Sequence, residues 1–158
     1  MYLKGLRVLD KKQVTIIPYL PEFAEQTVRM WRDSKFEVIG VKETHSFESH
    51  IYFLNNILTK EFIVELAIVN ERVVGIIAYH DSEISQLYVH NDFQNAGIGY
   101  TLLQRAKERS NGSLTLFTFE VNKKAQRFYE KNGFKVIGNG HENEENLPDL
   151  QYEWKAKK

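Results

Sequence analysis

The segment Gln94-Asn95-Ala96-Gly97-Ile98-Gly99 decides the fold of this chain, because it joins a predicted strand to a predicted helix through two closely spaced glycines. The first turn of a helix leaves backbone N–H groups without partners and carries partial positive charge, so it attracts phosphate groups. Gly97 and Gly99 have no Cβ, which lets the backbone come close to a ligand. The segment is therefore interpreted as an anion-binding turn, although an ordinary tight turn into a helix fits the same residues.

Two common nucleotide-binding motifs do not fit this segment. A P-loop needs Gly-Lys-Ser/Thr, whereas Tyr100 and Thr101 follow Gly99. A dinucleotide fingerprint needs a third glycine where Leu102 stands, although Glu120 does lie about twenty residues further on, as its ribose-binding acid would. Since only one crossover follows the segment, the doubly wound sheet of a dinucleotide-binding enzyme is disfavoured.

Hydrophobic periodicity on both sides of the segment predicts an α/β domain with a mixed sheet. Three β-rich runs before it form a meander of antiparallel strands at 62–69, 73–80 and 84–90. After it, a helix at 98–109 and a strand at 114–119 imply a parallel crossover. The other predicted elements are a strand at 14–17, helices at 21–33, 46–58 and 122–132, and strands at 134–137 and 150–154 joined by a polar loop.

Composition narrows the class of protein. The 158 residues suit one domain, with 42% apolar and 27% charged residues as in ordinary globular proteins. The 21 basic residues balance 21 acidic ones, which disfavours nucleic acid as a partner. The absence of cysteine excludes disulfides and an acyl-cysteine intermediate. Residues 1–12 lack a signal-type apolar run and no stretch suits a membrane span, so no membrane association and a cytoplasmic location are expected.

A second pattern lies on the predicted helix at 122–132. Asn122 and Tyr129 are seven residues apart, so they share one helix face and lie roughly 10 Å apart along the axis. Asn122 at the helix start can contact a ligand or simply cap the helix, and Tyr129 can face a site or pack in the core. The spacing alone leaves these alternatives open.

Taken together, the two patterns resemble the GNAT superfamily of acetyl-CoA-dependent N-acetyltransferases. The family signature Gln/Arg-x-x-Gly-x-Gly/Ala corresponds to 94–99, and the second pattern runs from Asn122 through Tyr129 to Phe134. The resemblance covers roughly residues 62–154 and implies one domain over 1–158 with about seven strands and four helices, splayed around the Gly-loop crossover. Gln94 stands where many members have Arg, which removes one charged phosphate contact.

The resemblance also implies how acetyl-CoA is held. Backbone groups of the strand before the loop would pair with the pantetheine arm, and the amide of Val89 would face the thioester oxygen. Asn122 would contact the pantetheine. The implied donor-binding residues are Leu87, Tyr88, Val89, Gln94, Asn95, Ala96, Gly97, Ile98, Gly99, Tyr100 and Asn122.

Direct transfer of acetyl to a primary amine in a ternary complex is the implied reaction. Tyr129 would be the general acid for the leaving thiolate, and Glu83 is the first candidate for the base, ahead of His80 and Glu120. For all three base candidates a solvated surface role is the alternative. A sensor that binds acyl-CoA without turnover is the competing function, and an interaction scaffold is a third.

The acceptor is a small-molecule amine or a peptide amine, and the sequence does not choose between them. The family resemblance implies that residues 31–52 and the acidic loop 141–145 line its site, including His45, His50 and Tyr52. An acidic loop favours a cationic amine, although a solvated turn explains the same residues. Two isolated histidines without a third ligand predict no metal. The resemblance is compatible with a homodimer.

Overall fold

The computed structural model describes residues 2–3, 6–7 and 13–157, the first two pairs by their backbone alone. This part of the chain contains two paired two-residue strands, seven longer strands and five α-helices, as in the predicted mixed α/β fold. Two of the five helices are joined by a π-helical turn, so the helices form four continuous segments. The elements are β1 (Tyr2–Leu3), β2 (Leu6–Arg7), β3 (Val14–Pro18), α1 (Ala24–Ile39), α2 (Phe47–Phe53), α3 (Thr59–Glu61), β4 (Ile63–Val69), β5 (Arg72–Tyr79), β6 (Ile84–Val89), α4 (Ile98–Glu108), β7 (Ser113–Phe119), α5 (Lys123–Lys131), β8 (Lys135–Gly140) and β9 (Asp149–Lys155).

The seven longer strands form two sheets that meet at one point. The first is antiparallel with the order β3-β4-β5-β6, which confirms the predicted meander, and the second is antiparallel with the order β7-β9-β8. β6 and β7 run parallel and touch through a single bridge, Glu83 with Thr115, next to a 3.0 Å hydrogen bond from the Thr115 N–H to the Ser82 carbonyl. Beyond this bridge the two strands part, so the predicted splay at the crossover is confirmed.

Helices cover both faces of the first sheet, because each carries an apolar stripe. α1 buries Val28 and Trp31 on one face, and the helical turn that follows α2 adds Leu54 to the same cluster. α4 buries Ile98, Leu102, Leu103 and Ala106 at helical spacing on the other face, in a core shared with β7, β9 and α5. Within the described residues, no helix combines the length and hydropathy needed to cross a bilayer.

Three element boundaries differ from those predicted. α1 continues past Asp33 to Ile39 and ends where Gly40 takes a left-handed φ of 66°, since no residue between them breaks a helix. β8 continues to Gly140, which pairs with Asp149, so part of the predicted loop is strand. Between α2 and α3, Leu54–Leu58 forms a wider π-helical turn inside the predicted helix.

A buried ion pair fixes α4 against the first sheet. Glu65 of β4 is 5% exposed and accepts two hydrogen bonds from Arg105 of α4, Nε to Oε1 at 2.9 Å and Nη2 to Oε2 at 2.6 Å. The Tyr79 hydroxyl donates to the same carboxylate at 2.8 Å. Burial alone would raise the pKa of Glu65, but the bonds from Arg105 and Tyr79 outweigh it and hold the pKa below its ordinary value. The carboxylate is therefore charged at neutral pH.

We expect Arg105→Met to lower the free energy of unfolding by about 2–4 kcal/mol at pH 7, because it leaves the Glu65 carboxylate buried without its cation. Since the folded pKa of Glu65 is lowered, this stabilisation is present above the unfolded pKa and is lost as pH falls through the folded one. Urea unfolding from pH 7 to pH 3 should therefore show the two proteins converging in acid. Arg127→Met, at an exposed position of α5, is the control. A constant difference at every pH would contradict this account.

Candidate active site

A narrow cleft lies between β6 and β7 where the two strands part. Its cavity measures ≈ 70 Å³ and is lined by Ile84, Ser85, Gln86, Leu87 and Tyr88 from β6, Leu116, Phe117, Thr118 and Phe119 from β7, and Asn122, Ala125 and Tyr129 from or beside α5. Ser85 is an extra residue in β6, because Ala78 pairs with Gln86 whereas Tyr79 pairs with Ile84. Such a bulge bends a strand, which fits the departure of β6 from β7.

The free edge of β6 presents backbone groups to this cleft. The His90 N–H donates to the Val74 carbonyl of β5 at 2.8 Å, and alternate residues of a strand direct their backbone groups to opposite edges. Val89 and Leu87 therefore direct their amides toward β7, whereas the amide of Tyr88 faces β5. The carbonyl of Val89 accepts a hydrogen bond from Gln94 Nε2 at 3.1 Å. Of the three strand residues predicted to hold the donor, Leu87 and Tyr88 line the cavity.

The Gly loop has the geometry of an anion-binding turn. Asn95 and Gly97 take left-handed φ values of 67° and 81°, and α4 begins at Gly97 without a capping side chain. The first amide bonded inside α4 is that of Thr101, which donates to the Gly97 carbonyl at 3.0 Å. The preceding amides of Ile98, Gly99 and Tyr100 thus have no acceptor inside the helix. A Cβ at Gly99 would lie 3.4 Å from the Phe128 ring, which is van der Waals contact, so this turn packs closely against α5.

The side chain of Gln94 hydrogen-bonds to residues on both sides of the Gly loop. Its Nε2 donates to the Val89 carbonyl and to Asn91 Oδ1, each at 3.1 Å, and its Oε1 accepts a hydrogen bond from Lys124 of α5. The side chain is therefore engaged with the protein, and the ammonium of Lys124 lies beside the loop. Lys124 was missed by the sequence reasoning. Its position two residues after Asn122, at the start of a helix predicted to adjoin the loop, was the available signal.

Tyr129 is a buried residue on the wall of the cleft. It is 7% exposed and packs against Phe134 and Tyr152, with ring centroids at 5.5 Å and 6.1 Å. Within residues 13–157, no protein group hydrogen-bonds to its hydroxyl. Burial, and then the proximity of Tyr88, raises the pKa of Tyr129 well above its ordinary value. The hydroxyl is therefore protonated at neutral pH and free to donate.

Asn122 lies at the same cleft and also caps α5. Its Oδ1 accepts a hydrogen bond from the Ala125 N–H at 3.1 Å, and its side chain lines the cavity. The two roles left open by the sequence are compatible, since the cap uses the side-chain oxygen and leaves the amide nitrogen available.

The base candidates are divided between two ends of β7. Glu83 lies at the β6–β7 bridge, with Oε1 3.5 Å from His80 Nε2. His80 stacks on Phe62 at 4.9 Å and accepts at Nδ1 from the Ser82 N–H at 3.2 Å. Glu83 directly precedes the cleft residue Ile84, and its side chain is 40% exposed. Glu120 follows the far end of β7 and is exposed, so it lies apart from the other two.

The two segments expected to line the acceptor site meet on the α1 side of the first sheet. Lys35 Nζ contacts Glu145 at 2.5 Å, and His45 Nε2 contacts Glu144 at 2.9 Å. Tyr52 is 63% exposed. Among the residues that the structure describes, no group of three His, Asp or Glu side chains is placed to hold a metal ion.

Comparisons with known proteins agree with this geometry. The acetyltransferase (GNAT) domain family matches residues 59–136. The peptidyl-lysine N-acetyltransferase YjaB is 31% identical in Salmonella typhimurium and 32% identical in Escherichia coli, in each case over 123 residues. These alignments cover 74% of this chain and 80% and 79% of the two relatives.

Solved structures show the same fold. Apo-form YjaB from Escherichia coli superposes with a TM-score of 0.71 at 21% identity, over 91% of this chain and 99% of the other. The PaiA N-acetyltransferase of Thermoplasma acidophilum in complex with coenzyme A superposes with a TM-score of 0.69 at 23% identity, over 90% and 98%. The family match and the curated relatives lead to one conclusion: this chain belongs to the GNAT superfamily of acetyl-CoA-dependent N-acetyltransferases.

Proposed function

We propose that the protein transfers the acetyl group of acetyl-CoA directly to a lysine side chain of a peptide or protein. The observation that carries this proposal is the buried, protonated Tyr129 on the wall of the cleft between β6 and β7. The curated relatives are named for peptidyl-lysine acetylation, which favours lysine among primary amines.

The Gly loop, the first turn of α4 and the free edge of β6 suit acetyl-CoA in charge and shape. The pyrophosphate would accept hydrogen bonds from the amides of residues 98–100, next to the ammonium of Lys124. Lys124 thereby supplies the cation that an arginine supplies in many relatives. The pantetheine arm would extend along the free edge of β6, with Leu87 and Val89 as backbone partners and Asn122 at the far wall.

The chemistry then needs three groups of the protein. The neutral amine attacks the thioester carbon, and the Val89 N–H donates to the oxygen as negative charge develops on it. The carbon–sulfur bond breaks, and Tyr129 gives its proton to the leaving thiolate. The attacking nitrogen loses its second proton as the amide forms, and that proton returns through water to the Tyr129 oxygen, so the hydroxyl is restored. Because a lysine amine has a pKa of about 10.4, its extra proton must first go to a base. We assign this role to Glu83, which would receive the proton through a chain of water molecules along the cleft, because it lies at the opposite end of β6 from Val89.

We expect Tyr129→Phe to lower kcat by about 10²-fold, because the variant lacks the proton donor for the thiolate. The Kd for acetyl-CoA should stay within about twofold of the wild-type value, and the melting temperature within about 2 °C. The reason is that the Tyr129 hydroxyl makes no hydrogen bond to the described residues. Stopped-assay thiol release and calorimetry measure both. Tyr152→Phe, which removes a hydroxyl bonded to Glu130 at 2.7 Å in the same core, is the matched control.

Unchanged turnover in Tyr129→Phe would remove this residue from the mechanism. If the wild-type protein binds acetyl-CoA but releases no thiol with any lysine peptide or amine, the domain is an acyl-CoA sensor and the enzymatic proposal fails.

Glu83→Gln should lower kcat/KM by about 10²-fold near neutral pH and reduce the dependence of the rate on pH, because the amide cannot accept the proton. pH–rate profiles with a lysine peptide measure this change. Glu120→Gln, at the opposite end of β7, should leave the profile unaltered. A larger loss in His80→Gln than in Glu83→Gln would instead make the histidine the base.

A further inference from the structure

A lysine of the protein lies between two carboxylates at the junction of α1 with two loops. Lys35 Nζ is 2.5 Å from Glu145 Oε2 and 3.7 Å from Glu43 Oε2. Glu43 belongs to the segment between α1 and α2, and Glu145 to the loop between β8 and β9. The three side chains are only 19%, 13% and 16% exposed for Lys35, Glu145 and Glu43. Two carboxylates thus share one ammonium in a largely desolvated place.

Aromatic side chains connect this cluster to the cleft. The Trp31 ring lies 4.4 Å from His50 and 6.2 Å from Tyr88. Burial raises the pKa of Tyr88, and the charges of Glu145 and Glu43 raise it further, so both carboxylates act on this hydroxyl. Tyr88 also lines the cleft between β6 and β7, so the rings of Trp31 and Tyr88 connect His50 to the proposed acyl site.

His50 supplies an unpaired group among these charges. It is 9% exposed, and its buried Nδ1 has no hydrogen-bond partner among the described residues. Burial lowers the pKa of His50 to about 4, despite the opposing charge of Glu43, so the ring is neutral at pH 7. Buried ring nitrogens are normally paired, and a neutral imidazole has one nitrogen that accepts an N–H. Among the described residues, Lys35 is thus the one side-chain ammonium that contacts both carboxylates, although Glu43 also accepts hydrogen bonds from the N–H groups of Thr44 and His45 at 3.1 Å and 3.3 Å. His50 leaves one ring nitrogen unpaired.

We propose that Glu43 and Glu145 bind the ammonium group of the acceptor lysine, and that Lys35 occupies this position until the acceptor displaces it. The identity of the acceptor rests on the function proposed above. The group now held there is itself a lysine ammonium on a flexible four-carbon stem. An acceptor of the same chemistry replaces it without leaving either carboxylate unpaired, whereas a neutral amide or alcohol does not.

A purely structural tie between the two segments is the competing role, and the protein contains a matched pair that tests it. His45 and Glu144 join the same two segments at 2.9 Å, but their side chains are 52% and 71% exposed. If the ion pairs only hold the two segments together, the Lys35–Glu145 pair and the His45–Glu144 pair are equivalent. A site that binds an ammonium group instead requires the poorly exposed carboxylate of Glu145. Glu144→Gln is therefore the control for Glu145→Gln.

The test uses calorimetry with Nα-acetyl-lysine amide and protein saturated with coenzyme A, so that no transfer takes place. We expect Lys35→Met to tighten binding by about fivefold, because the internal competitor is lost, and Glu145→Gln to weaken it by about tenfold. Glu144→Gln should stay within about twofold. The neutral probe Nα-acetyl-norleucine amide should bind equally to wild type and Glu145→Gln.

The inference is overturned if Nα-acetyl-lysine amide binds Lys35→Met no more tightly than wild type. It is also overturned if Glu145→Gln and Glu144→Gln lose the same affinity, or if none of the proteins binds the probe. Thermal unfolding identifies a variant that does not fold, and Lys35→Gln and Glu145→Asp then replace it. Thiol release by wild type with acetyl-CoA is measured separately. If it fails while the binding pattern holds, the proposed function is wrong and the ammonium site stands.

Discussion

β6 and β7 run parallel but pair only through Glu83 and Thr115, and the rest of the site depends on this incomplete pairing. Backbone N–H and C=O groups that leave a sheet must find other partners, because unpaired buried polar groups are costly. Here the extra residue Ser85 bends β6 away, and the edge amides of Leu87 and Val89 face the gap. The fold thus keeps an open sheet edge in its interior, where an extended ligand with amide groups can complete it.

The separation of β6 from β7 also determines where the other groups of the site lie. The chain leaves β6 through the Gly loop, so the first turn of α4 stands at the end of the gap. It returns along β7, and α5 follows at once, which brings Asn122 and Tyr129 to the opposite wall. Gln94 closes this arrangement, since its side chain bonds to Val89 before the loop and to Lys124 after β7. One side chain therefore ties together the strand, the loop and the helix.

Local patterns in the sequence predicted most of the strands and helices. They could not predict contacts between side chains that are far apart in the sequence. Periodicity located the seven longer strands because each carries its own apolar run. It placed the end of α1 too early, since only Gly40 marks it and residues 34–39 carry a mixed pattern. The loop and the Asn122–Tyr129 pair were found because short fixed spacings identify them. Lys124 beside Gln94, and Lys35 beside Glu145 at a separation of 110 residues, arise only from packing.

The two halves of the site carry opposite electrostatic character. The donor half offers helix amides and Lys124, which suit an anion, and the α1 side offers Glu43 and Glu145, which suit a cation. Between them stand Tyr88 and Tyr129, whose burial raises their pKa values, so both remain neutral donors. A charged hydroxyl at either position would oppose the developing negative charge of a thiolate. In the proposed reaction, the cationic end would attract the pyrophosphate of acetyl-CoA and the anionic end would attract the acceptor ammonium. The thioester would then react between two neutral tyrosine hydroxyls.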